Sequence, residues 1–124
     1  DNQDALIGNP AYDLVSLVDD ARIKTSKSLK DQIYKHYLKK KFLNNKNKSR
    51  IFLEDFNILS VQRSLKIIGI FSRLFKRDKK NKYLKMIPYT WSLLEMRMGS
   101  KIFSELKKIL DRNISKKMRK RSTY

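Results

Sequence analysis

Leu65-Lys66-Ile67-Ile68-Gly69-Ile70-Phe71-Ser72-Arg73-Leu74-Phe75 is the stretch that decides the fold of this 124-residue chain. Its apolar side chains spread over most of a helical circumference, and a helix apolar nearly all round belongs at the centre of a helical assembly. Gly69 inside it costs about 1 kcal/mol relative to Ala, which predicts a neighbouring helix approaching closely there. The helix is predicted to run from Ile51 to about Arg77, with Phe52, Phe56 and Leu59 on one side of its first half.

Toward the amino end, residues 44–50 are polar and aperiodic and read as a loop. A helix is predicted over Leu29–Phe42, with Thr25, Ser26 or Ser28 as its cap, Leu29, Ile33 and Tyr37 on one face, and Lys30, Lys39 and Lys40 solvated. Before it, Asn9 suits an N-cap and Pro10 a first helical position. Leu14, Leu17, Val18 and Ala21 then form a buried stripe toward Ile23. Ala5-Leu6-Ile7 suits a brief strand. Toward the carboxyl end, a loop at 79–82 is followed by Tyr83-Leu84 re-entering the core and by a helix opened at Pro88 that carries Trp91, Leu94 and Met98 and stops at Gly99. Ser100 caps a last helix with Ile102, Leu106 and Ile109 aligned. The expected fold is all-α, about five helices over 10–111, with a loop segment at 1–9 and a basic, disordered tail at 112–124.

Thirty Lys plus Arg against 12 Asp plus Glu give a net charge of +18 and a pI near 10.2. Most of that excess is Lys scattered through Asn-, Ile- and Ser-rich text, with few aromatics interleaved. A small basic helical module that binds nucleic acid is the alternative reading. The absence of Cys excludes disulfides and thiolate zinc sites and is compatible with a reducing cytoplasm. The longest apolar run, Ile67-Ile68-Gly69-Ile70-Phe71, is far short of the ~20 residues of a spanning helix, so no membrane partner is expected. His36, the single histidine, has no partner arrangement that would make it a general base.

Two separated motifs carry a resemblance. Asp1-Asn2-Gln3-Asp4-Ala5, then Gly8-Asn9-Pro10-Ala11-Tyr12-Asp13-Leu14, resembles the magnesium-binding segment of the aminoglycoside phosphotransferase and choline kinase-like family. Gln62-Arg63-Ser64-Leu65-Lys66, Gly69, Phe71, Arg73-Leu74, Arg77-Asp78, Lys80, Tyr83-Leu84 and Pro88 resemble the helical region of that family's cell-wall sugar kinases, which phosphorylate the anomeric position of N-acetylmuramate and N-acetylglucosamine. The departures are Asn2 in place of an aromatic, Lys79 where Gly is frequent after Arg-Asp, and Tyr89 where Arg often follows Pro.

The resemblance implies the helical part of the C-terminal lobe of a kinase-like phosphotransferase. ATP would be co-substrate, Mg²⁺ the cofactor and an amino sugar the acceptor, with the N-terminal lobe of the same protein as partner. It implies Asp1 as metal ligand, with Asp4 and Asp13 supporting the site. Gln62 and Arg63, within one turn of the long helix along with Lys66, are candidate sugar- or phosphate-binding residues; the wet edge of a buried helix is the other reading of that turn. No Gly-rich phosphate loop, strand lysine or His-Gly-Asp catalytic loop occurs in these residues, so no catalytic base is expected in them and the isolated chain is expected to be inactive.

Overall fold

The computed structural model describes residues 10–120, and every described regular element is a helix. They group into two compact units, residues up to Ser60 and residues from Val61 onward.

The first unit contains α1 (Ala11–Val18), α2 (Lys27–Phe42) and the opening half of α3 (Lys46–Asp78). Ala11, Leu14, Val15 and Val18 lie three and four apart, so α1 turns one stripe onto Phe52 and Phe56 of α3. Leu17, expected in that stripe, falls on the opposite side and is 66% exposed. Tyr34, Tyr37 and Phe42 of α2 meet the same two phenylalanines in an antiparallel hairpin, Tyr34 edge-on to Phe56 and Tyr37 stacked on Phe52. Ser26 caps α2, its hydroxyl accepting from the Leu29 N–H at 3.2 Å.

Several sequence boundaries move for local reasons. α1 stops at Val18 rather than near Ile23, because Asp19 leaves helical geometry while its N–H still donates to the Val15 carbonyl at 2.8 Å. The polar segment expected to be a loop opens α3 instead. Only Leu43-Asn44-Asn45 separates it from α2, with Leu43 and Asn44 at φ 47° and 67° reversing the chain. The Asn45 side chain caps the new helix by accepting from the Lys48 N–H at 3.1 Å.

The second unit contains the remainder of α3, α4 (Asn81–Arg97), a 3₁₀ turn (Lys101–Phe103), α5 (Ser104–Asn113) and α6 (Lys116–Arg119). Val61, Leu84, Ile87, Trp91, Leu93, Leu94, Met98 and Phe103 are buried apolar residues of this unit. Pro88 does not open α4 but sits inside it; the helix continues past a missing N–H, and its one-sided apolar stripe holds it in place. The apolar residues of α3 from Leu65 to Phe75 are half-buried rather than buried. A Cβ on Gly69 would meet nothing within 4 Å, so the expected close approach of a neighbouring helix is not made there.

Of the tail expected to be disordered, the described part continues as α5 to Asn113 and then as α6. Arg119 explains why: its side chain is 5% exposed, lies over the Trp91 ring at 4.9 Å and bonds Asp111 at 3.0 Å. A buried guanidinium on an indole face anchors a segment that charge pattern alone would leave solvated. The strand suggested at Ala5-Leu6-Ile7 lies outside the described residues.

Candidate functional site

Of the acidic residues singled out in the sequence, Asp1 and Asp4 lie outside the described residues. Asp13 is exposed in the first turn of α1, where a carboxylate complements the helix dipole. No group of three acidic, His or Cys side chains converges as a metal site among the described residues. Magnesium requires hard oxygen ligands, and Asp13 is the one carboxylate of that sequence frame within the described part.

A polar cluster fixes the far end of α1. Asp19 caps the helix with its carboxylate turned inward. Oδ2 accepts from the Ser60 hydroxyl at 2.6 Å and Oδ1 from the Lys30 ammonium at 3.3 Å. Lys30 also donates to the Val18 carbonyl, one of the acceptors that a helix C-terminus leaves open. A cation is favourable at that end of the dipole. Asp19, Lys30 and Ser60 are 2%, 2% and 1% exposed, so the cluster ties α1, α2 and α3 together rather than meeting a solute. The sequence reading placed Lys30 on a solvated face. Its α2 neighbours hid the signal; the hint was a carboxylate directly after the apolar Leu17-Val18.

Gln62 and Arg63 are neighbours on α3 in the second unit, Gln62 exposed and Arg63 half-buried, with Lys66 exposed one turn on. Consecutive helical residues point about 100° apart, so Gln62 and Lys66, four apart, share a face more closely than Gln62 and Arg63 do. Of the concavities among this unit's described residues, two differ in lining. One, of about 680 Å³, has an apolar wall that includes Ile68, Phe75, Ile87 and Trp91, with Lys76 and Lys79 among its cations. The other, of about 170 Å³, is charged and gathers Glu95, Asp111, Lys107, Lys116 and Arg119. Arg119 holds its wall together, with Glu95 at 3.7 Å and a donation from Nε to the Ile114 carbonyl at 3.1 Å.

Arg77 and Asp78, in the second sequence motif, form a bidentate pair at 2.8 and 3.1 Å at the end of α3. The hydrogen bond from Arg77 holds the Asp78 carboxyl below its ordinary range. Lys79 follows at φ 57°, its N–H donating to the Phe75 carbonyl at 2.7 Å. That left-handed cap favours glycine, so the departure from the resembled pattern at Lys79 falls on a position where Gly has a conformational advantage.

Neither a family model nor a solved structure matches the chain. Three curated proteins do, each called N-acetylmuramate/N-acetylglucosamine kinase. The protein from Caulobacter vibrioides is 32% identical over 114 residues, 92% of this chain and 31% of the relative. That from Neisseria meningitidis is 38% identical over 109 residues, 86% of this chain and 32% of the relative. That from Pseudomonas aeruginosa is 35% identical over 98 residues, 77% of this chain and 29% of the relative. The chain thus spans about 30% of the length of the curated relatives it matches. Over most of its residues it is similar to N-acetylmuramate/N-acetylglucosamine kinases, the group that its second motif resembles.

Proposed function

We propose that this chain is the helical C-terminal part of a cytoplasmic, ATP- and Mg²⁺-dependent kinase that phosphorylates an amino sugar released from peptidoglycan. The observation that carries the proposal is the likeness, over 77 to 92% of the chain, to three kinases named for N-acetylmuramate and N-acetylglucosamine. It belongs with the two motifs in order, the Asp1–Leu14 frame and the Gln62–Pro88 pattern.

In this reading Asp1 supplies a hard carboxylate oxygen for Mg²⁺, which when bound neutralises charge on the transferring phosphates. Asp4 and Asp13 support that segment. The Asp19–Lys30–Ser60 cluster fixes the far end of α1, the helix that follows this segment in the sequence. Gln62 and Arg63 would bind the acceptor sugar or the phosphate delivered to it, through neutral and charged hydrogen bonds respectively. The half-buried apolar residues between Leu65 and Phe75 suit a helix that packs against more chain than the described residues provide, namely the nucleotide-binding lobe.

The test is phosphoryl transfer followed by phosphorus NMR. The full-length protein is given ATP, Mg²⁺ and either N-acetylmuramate or N-acetylglucosamine, and the isolated chain is assayed beside it. A sugar 1-phosphate made by the full-length protein, and none by the isolated chain, is the expected result. Failure of the full-length protein to transfer phosphate to either sugar overturns the assignment.

A further inference from the structure

The α2–α3 hairpin ends in a surface that the kinase reading does not use. From Gln32 to Leu53 the chain has seven Lys or Arg residues and no carboxylate. Ion pairs among the described residues of this unit include Arg22–Asp20, Lys27–Asp31 and Lys30–Asp19, outside that stretch. Lys35 and Lys39 on α2 and Lys46 and Arg50 on α3 instead rim a groove of about 590 Å³ whose floor includes Tyr34, Leu38 and Leu53. Within each pair the cations are one helical turn apart, about 6 Å along the axis.

The turn of the hairpin, Leu43-Asn44-Asn45, carries one exposed aliphatic side chain, and two more follow on α3. Leu43 is 81% exposed and left-handed at φ 47°, and Ile51 and Leu53, within two turns of the start of α3, are 50% and 42% exposed. A leucine gains neither burial nor conformational ease at such a position; Gly or Asn would suit the backbone better.

Anionic partners of two classes would answer the charge, and the aromatic rings decide between them. Binding of single-stranded nucleic acid uses exposed rings on which bases stack. Here Tyr34 is edge-on to Phe56 at 5.1 Å, and Tyr37 and Phe42 sit against Phe52 at 5.4 and 5.3 Å, so the hairpin's rings are spent on the core. What remains outside is aliphatic side chain ringed by lysine, the combination that favours the interface of an anionic bilayer. We propose that the end of the α2–α3 hairpin is a peripheral docking surface for anionic phospholipid, with Leu43 entering the interface and the rim cations meeting lipid phosphates. No helix among the described residues is long and apolar enough to cross a membrane, and a surface contact requires none.

The test is co-sedimentation of the full-length protein with vesicles of phosphatidylcholine alone and of phosphatidylcholine mixed with phosphatidylglycerol, over a range of salt. Binding to the anionic vesicles only, weakening as salt rises, is expected. Replacing Lys35, Lys39 and Lys46 together by Gln should lower the partition coefficient on the order of a hundredfold at low salt. Leu43→Gly should lower it about tenfold while leaving helical circular dichroism intact, because glycine relieves the left-handed backbone. Equal binding to neutral vesicles, or unchanged partition of either variant, overturns the proposal. So does displacement of the protein from anionic vesicles by single-stranded RNA at equal phosphate concentration, which would assign the surface to nucleic acid.

Discussion

Replacing Lys30 by Met tests how the first unit is held together. Methionine keeps the unbranched stem and removes only the ammonium, which is 3% exposed and shared between the Asp19 carboxylate and the Val18 carbonyl. The substitution leaves Asp19 buried at 1% side-chain exposure with Ser60 as the remaining partner in the cluster. Breaking a buried pair by removing one member costs about 3–5 kcal/mol, because the other charge stays desolvated. Against a typical total stability of about 5–15 kcal/mol, that moves the urea midpoint decisively. The assay is urea unfolding followed by circular dichroism, with Lys27→Met as control. Lys27 also pairs with a carboxylate, Asp31 at 3.3 Å, but at 72% and 45% exposure, and an exposed pair contributes about 0–1 kcal/mol. Adding Asp19→Asn to Lys30→Met should recover part of the loss, since the orphaned charge is then gone. A Lys30→Met penalty no larger than that of Lys27→Met would refute the view that the cluster anchors α1.

Two further outcomes follow from the second unit. Arg119→Met should destabilise that unit by about 1–3 kcal/mol, through loss of the contact with Trp91 and of the bond to Asp111. It should also shift the fluorescence of Trp91, the single tryptophan; an unchanged emission and midpoint would mean the arginine does not hold α6 in place. Lys79→Gly should raise stability by about 1 kcal/mol, because Lys79 carries a side chain at φ 57° in a helix cap. A lower melting temperature for that variant would show that its side chain makes a compensating contact.

The helical class and the buried residues Leu14 and Val18 of α1 and Trp91, Leu94 and Met98 at α4 were legible in the sequence, and Ser26 and Ser100 are caps that side-chain chemistry announces, whereas Leu17, Leu29, Ile102 and Ile109, expected on apolar faces, are exposed. The start of α3 was not. Lys46-Asn47-Lys48-Ser49 has no apolar period, and its helicity rests on the Asn45 cap and on continuation into Phe52 and Phe56. Pro88 misled because proline marks a first turn far more often than an interior, and the burial of Leu84 and Ile87 ahead of it extends the helix backward. Lys30 and Arg119 were hidden for a shared reason. Lys30 is one of several lysines on α2 and Arg119 lies in a run of cations, and the burial of each depends on a distant partner, Asp19 or Trp91, that spacing cannot identify. Of the proposed site, Gln62 and Arg63 are placed on α3, and Asp13 in the first turn of α1. The motif that singled out Asp1 and Asp4 is a sequence likeness, and those residues lie outside the described part.

The central claim is that this chain carries the metal-holding carboxylate of an amino sugar kinase. Its most direct test is the rate of ATP-dependent N-acetylmuramate phosphorylation by the full-length protein and by its Asp1→Ala variant, with circular dichroism confirming the fold of both. Turnover that requires Mg²⁺ and falls by at least about a thousandfold in the variant is the predicted result, since positioning and charge stabilisation supply most of phosphoryl-transfer catalysis. A variant that keeps wild-type turnover would contradict it.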